Sequence, residues 1–254
     1  STYICHPSMA NNELSGPTVV TFLAKWLQMV DQLEYSYRIV FIPETIGSIA
    51  YLSQNFKEMK DKIIAGYNVT CVGDDRAYSF IPSRNGKTIS DKIGKHVLKW
   101  IDSNFIQYSW LDRGSDERQY CSPGIDLPIA SILRTKYGEY DEYHTSLDDL
   151  ENVVTPKGLN GGYWAIRKAI EAIEKNKKYK VSVKCEPQMS KRGLYPTLST
   201  KEFDNKVKLM MDFISFSDGE CSLLEIAGNL NVPMWDLYDI VQNLESHNLI
   251  YLDK

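Results

Sequence analysis

The sequence predicts a three-layer α/β fold, with helices on a mostly parallel or mixed sheet, followed by a small helical module that closes on a strand. Three observations predict it. Apolar β-branched runs alternate with amphipathic stretches as far as about residue 185, the pattern of a sheet with helices packed on it. Periodicity lapses over residues 186–200, where Pro, Gly, Ser and Arg mark a linker. Residues 201–254 then read as a helix, two short helices and an apolar segment.

Taken in order, residues 1–5 ("STYIC") read as an apolar strand that meets a polar loop at His6. A strand this close to Ser1 leads us to expect that the natural protein begins earlier, with partner strands ahead of it. A helix is predicted over 17–33, its apolar residues at helical spacing and Pro17 in its first turn. The run 37–42 ("YRIVFI") is β-branched and ended by Pro43. A helix over 47–59 and a strand over 67–72 ("YNVTCV"), ended by Gly73, repeat the alternation. Helix 87–104, strand 106–111, a buried strand over 128–135 ("PIASILRT") and an amphipathic helix over 160–175 complete a domain of residues 1–185.

The chain has 254 residues, 43% hydrophobic and 24% charged, enough for one sizeable core and a small second domain. No apolar run is long enough to span a bilayer and no signal peptide is evident, so the expectation is a cytoplasmic protein without a membrane partner. Five cysteines with no C-x-x-C pair argue against a disulfide framework or a thiolate zinc knuckle. A net charge of −4 provides no general basic field for phosphate backbones.

In an open α/β sheet, ligands sit beyond the carboxyl ends of the strands. If the sheet is parallel, the polar loops 6–16, 43–48, 73–76, 112–121 and 140–149 converge on one edge. A cleft holding His6, Glu44, Asp74 and His144 has the ligand types zinc prefers, plus a spare carboxylate for a base.

These loops, in this order, resemble the zinc aminopeptidases of the leucyl aminopeptidase type. They look most like a bacterial aminopeptidase-like branch with a C-terminal winged helix, often linked to polysaccharide biosynthesis. The resemblance implies that His6 is a metal ligand and that "NELSG" occupies the place of an Asp-Asn-x-Ser-Gly motif, with Asn12 where an aspartate would bridge two metals. Glu13 is a replacement carboxylate whose direction is open. "ETIG" stands for Glu-Glu-x-Gly: Glu44 is the implied general base and Thr45 replaces a ligand. Asp74, with Asp75 as its rival, and His144 of "YHTSLDD" complete the implied set, with Asp148 behind it. Ser15-Gly16 turn the chain into the helix and Pro7 stiffens the loop. Two lost charges lead us to expect one zinc per chain rather than a pair.

The implied activity is metal-assisted hydrolysis of a peptide or small amide, with Glu44 moving the water's proton to the leaving amine. Asp116, Glu117 and Arg118, in a loop matching the family's Gly-Ser-Asp loop, are the candidate substrate contacts; Arg118 suits a carboxylate or phosphate. Duller roles compete: Glu44 as a helix cap, Arg118 as a solvated ion pair. Loss of charge at 12 and 45 also suits a non-catalytic metal- or ligand-binding protein on the same fold. His96 and His247 lack motif context and are read as structural.

In the C-terminal module, "SLLEIAGNLNVPMWDLYDIVQNLESHNLIYL" is a winged-helix pattern broken at residues 231–233. Its would-be recognition helix carries Asp236, Asp239 and Glu245 and no Lys or Arg, so nucleic acid is not the expected partner. Trp235 and Tyr238 suit packing, or an interface with a second copy or another protein.

Overall fold

The computed structural model describes residues 1–6, 8–194 and 201–253, with only the backbone of 201–204. Pro7, expected to stiffen the first loop, and residues 195–200 of the expected linker lie outside the described residues. Two compact units divide the chain after Ile173.

In the first unit β1 (Thr2–Tyr3) runs parallel to β2 (Phe41–Ile42). β3 (Gly66–Asn68) is parallel to β6 (Ile129–Leu133), and β6 is antiparallel to β4 (Ser79–Ile81), which is parallel to β5 (Ile106–Gln107). The Ser1 amino group donates to Tyr67 O at 2.9 Å and Val69 N donates to Ser1 O at 2.8 Å, which joins the two groups in the order β2-β1-β3-β6-β4-β5. The sheet is therefore mixed. β4, absent from the sequence expectation, is a three-residue strand whose reversal sends β5 the opposite way to β6, so the loop after β5 starts at the other edge.

Helices α1 (Ser15–Gln28), α2 (Ile46–Lys62), α3 (Ile89–Ile101), α4 (Glu117–Tyr120) and α5 (Pro156–Lys175) belong to this unit, the last residues of α5 falling beyond its limit. α3 starts where it does because Thr88 and Asp91 form a reciprocal capping box. Its buried Ile93, Val97 and Leu98 lie on the sheet face of Phe80 and Ile132, with Gly94 close against the Phe80 ring, while Ile81 and Leu133 cluster with Cys71, Tyr137, Tyr140 and Val153. Each such side chain contributes about 1.5–3 kcal/mol on burial. The expected strand 67–72 stops at Asn68, and Cys71 takes φ 48° as the chain leaves the sheet.

In the second unit β7 (Lys178–Val181) lies between β8 (Asp218–Ser222) and β9 (Ile250–Leu252), antiparallel to both. That pairing moves the start of this unit from the expected residue 201 to Glu174. Within the expected linker, residues 189–192 form a 3-10 turn with Met189 buried. α6 (Lys201–Ser215), α7 (Leu223–Leu230) and α8 (Tyr238–Ser246) complete a winged helix. Asn231, left-handed at φ 51°, ends α7. Met234, Leu237, Ile240 and Leu244 are buried, while Asp236, Asp239 and Glu245 are exposed. Among the described residues no helix is long and apolar enough to cross a membrane.

Candidate active site

The loop after β1 is built around Glu13. Residues 10–14 form a π-helical turn, wider than an α-helix, which turns Asn11, Asn12 and Glu13 all inward. Glu13 is fully buried; its Oε2 accepts from Cys5 N, and its Oε1 accepts from Asn12 Nδ2 at 2.9 Å and stands 3.2 Å from His6 Nδ1. A carboxylate on one imidazole nitrogen fixes the ring and leaves the other nitrogen outward. The His6 side chain is 41% exposed.

Asp148 ties the last loop to the first. Its Oδ1 accepts from Asn11 N at 2.7 Å, and its Oδ2 accepts from Asn12 N and the Tyr140 hydroxyl at 3.0 Å each, while its carbonyl accepts from Ala10 N. An anion capping these amides is favourable. The tie brings the His144 ring to 4.8 Å from that of His6, with the Tyr143 ring stacked on His144 at 3.9 Å. His144 holds φ 56°, a conformation that costs about 1–3 kcal/mol away from glycine.

Glu44, half-buried after β2, has its carboxyl raised above the ordinary range, first by burial, then by the charges of Asp116 and Glu13, against the opposing pull of Arg118. Thr45 next to it adopts φ 60°, ψ −67°, and Ile46 N donates to Glu44 O at 2.6 Å. This is a γ-turn of the rarer, strained hand. Asp116 Oδ1 accepts from Thr45 N at 2.7 Å and from Ser48 Oγ at 3.0 Å, and Arg118 Nη2 donates to Thr45 Oγ1 at 2.7 Å. The segment after β5 thus returns to the site even though its strand points away.

Other expected site residues face elsewhere. Asn12 is buried, with its Oδ1 toward Cys71 Sγ. Asp74 is buried with two hydrogen bonds on each oxygen: Oδ1 accepts from Arg76 N and Thr135 Oγ1, Oδ2 from Asn11 Nδ2 and Thr135 N. Its lone pairs are used within the fold. Its rival Asp75 faces Lys157 at 4.0 Å. Glu117 is fully buried and accepts from Gly114 N, Ser115 N, the Tyr137 hydroxyl and Asn68 Nδ2, which turns it away from any substrate. Arg118 is exposed but engaged with Thr45.

Of the donors expected for zinc, His6 and His144 meet, while Asn12 and Asp74 are turned inward. A catalytic zinc takes three protein ligands. Among the described residues no three His, Cys, Asp or Glu side chains stand together so as to hold a metal ion. As placed, this set does not fit a metal pair.

Sequence reasoning left the direction of Glu13 open and passed over Tyr143 and the γ-turn at Thr45. For Glu13 the signal is its place one residue after Asn12; for Thr45 it is Gly47, where a Cβ would lie 2.8 Å from Ile42 Cβ and Pro43 Cδ, forcing an abrupt entry into α2.

A family model described as a domain of unknown function (DUF4910) matches residues 1–176, and one described as a winged helix-turn-helix matches residues 177–251. A polysaccharide biosynthesis protein with an aminopeptidase-like domain from Clostridium acetobutylicum is 42% identical over 231 residues, 89% of this chain and 52% of that protein. A crystal structure described as a peptidase from the same organism superposes with a TM-score of 0.88 at 38% identity, covering 99% of this chain and 56% of its own. The chain spans about half the length of these relatives. An aminopeptidase from Aneurinibacillus (TM-score 0.55, 17% identity, 68% of this chain and 44% of that one) and a zinc aminopeptidase from Bacillus subtilis (0.53, 19%, 68% and 45%) share the fold of the first unit. With its first 176 residues matched by that model, the chain belongs to the DUF4910 family, here an aminopeptidase-like domain followed by a winged helix-turn-helix.

Proposed function

We propose that the aminopeptidase-like domain hydrolyses a small peptide or amide with Glu44 as general base. The observation that carries this reading is the raised, half-buried carboxyl of Glu44 on a loop electrostatically coupled to Glu13, the carboxylate that orients His6 beside His144. Such a carboxylate is a better base than a solvated one. Glu44 takes a proton from water as the water oxygen bonds to the carbonyl carbon; the C–N bond then breaks and the proton passes from Glu44 to the leaving amine. The His144 imidazole, held beside His6, is suited to donate to the charge that builds on the carbonyl oxygen, while the His6 N–H is taken by Glu13. At most one zinc ion per chain is proposed; His6 and His144 would be two of its ligands, fewer than the three a catalytic zinc takes, and no step here runs through it.

Asn12 and Asp74, both used within the fold, favour a second reading, a non-catalytic domain that binds its ligand at the same site. Turnover of aminoacyl and N-acyl amides, N-acylated amino sugars among them because of the polysaccharide-biosynthesis relative, separates the two. Turnover supports the hydrolase; saturable binding without turnover supports the second reading. We place the protein in the cytoplasm and assign the winged helix to a protein partner or a second copy, because its exposed acidic residues would repel phosphates.

A further inference from the structure

We propose that Asp116 is a positioning residue that locks the γ-turn at Thr45 through the Thr45 N–H and so fixes where the Glu44 carboxylate stands. The inference rests on the reading of Glu44 as the base, but the lock itself is a matter of geometry. Threonine is β-branched, and φ 60° is a conformation such residues rarely hold without outside restraint. The Ile46–Glu44 hydrogen bond closes the turn, and a γ-turn of this hand is strained even with it.

The restraint comes from a segment 71 residues later in the chain. Asp116 Oδ1 takes the Thr45 N–H at 2.7 Å and lies 3.0 Å from Ser48 Oγ, whose one proton is shared between it and Thr45 O at 2.9 Å. Arg118, two residues on, holds the Thr45 hydroxyl from outside. Asp116 is fully buried, and among the described residues its Oδ2 has no hydrogen-bond partner. A buried carboxylate with one bare oxygen is unfavourable by itself. What it gains is the turn: an acceptor, rigidly held at the start of α4, on the one amide that must be fixed for Thr45 to stay left-handed. On the other side Gly47 lies so close to Ile42 and Pro43 that a Cβ there would meet both at 2.8 Å, which keeps the passage from β2 into α2 tight.

The test is amide hydrogen exchange at Thr45 and Ile46 in the full chain, with Leu98 in α3 as the reference. Asp116→Ala is expected to speed exchange at Thr45 and Ile46 at least tenfold with Leu98 unchanged. Asp116→Asn, which keeps an acceptor, is expected to stay within about threefold of wild type. Adding Thr45→Gly to Asp116→Ala is expected to restore most of the Ile46 protection, because glycine takes positive φ without a steric penalty. On an amide substrate, Asp116→Ala should lower kcat about tenfold or more with KM nearly unchanged, and the double variant should recover. Unchanged exchange in Asp116→Ala overturns the proposal. Should Asp116→Ala not fold, Asp116→Asn carries the test, and loss of Thr45 and Ile46 protection in it overturns the proposal. Loosened exchange in Asp116→Ala together with full activity in Glu44→Gln supports the lock while removing Glu44 as the base.

Discussion

Glu44→Gln is expected to reduce amide hydrolysis by about 10²–10⁴-fold, the usual contribution of a general base, while the protein stays folded. Glutamine keeps the size of the side chain but cannot take a proton from water. The substitution should also stabilise the fold slightly at neutral pH. Glu44's carboxyl is raised in the folded state by burial and by Asp116 and Glu13, so the folded protein binds that proton more tightly than the unfolded chain does. Ionising it therefore weakens the fold as pH rises through the ordinary carboxylate range and the raised one, a penalty glutamine lacks. The same shift places the acid limb of kcat/KM against pH above the ordinary glutamate value of about 4.3, with activity lost on the acid side as Glu44 protonates. Rates across pH for both proteins, with thermal melts beside them, check this. Equal rates would remove Glu44 from the chemistry.

Asp74→Ala is expected to act on stability. Its carboxylate satisfies Thr135 through both backbone and hydroxyl, and also Asn11 and the Arg76 backbone, all at a buried position. Each buried donor left unpaired costs about 1–3 kcal/mol, so a total of about 3–5 kcal/mol is expected after partial relief by water. For a chain of this size that lowers Tm by roughly 6–20 °C, at about 2–4 °C per kcal/mol. Differential scanning calorimetry at equal metal content reads it. A variant with unchanged Tm that has lost bound zinc would restore Asp74 as a ligand.

Much of the fold was legible because it is local. The alternation of apolar runs and Pro17 in the first turn of α1 are short-range signals, and the elements they announce are present. The direction of β4 was not, since a three-residue strand takes its sense from the partners on either side, β6 and β5, rather than from its own residues. The limit of the winged helix was missed for the same reason: the β7 sequence reads as the end of the first domain until its pairing with β8 and β9 is seen.

In the site, ordered motifs brought His6, His144 and Glu44 to notice, and the two histidines do meet. What spacing could not carry was direction. Asp74 follows a run that reads as a strand, as a ligand would, yet β3 stops at Asn68 and the Asp74 carboxylate is taken up by Asn11, Arg76 and Thr135, the last 61 residues away. Asn12 and Glu13 are neighbours, and only the π-helical turn decides that Glu13 takes His6 while the Asn12 oxygen faces Cys71. At Thr45 the nearby Gly47 signals only an abrupt entry into α2; the positive φ itself is not legible, because its restraint comes from Asp116 and Arg118.

We propose that this aminopeptidase-like site works through Glu44, held by Asp116, without the metal pair that the Asp-Asn-x-Ser-Gly and Glu-Glu-x-Gly motifs imply. The most direct test of this is the zinc content of the full chain by elemental analysis, after dialysis and after mild chelation. We expect at most one zinc per chain, removed by the chelator with little change in Tm. Two zinc ions per chain that survive mild chelation would contradict the account and return Asn12 and Asp74 to the metal.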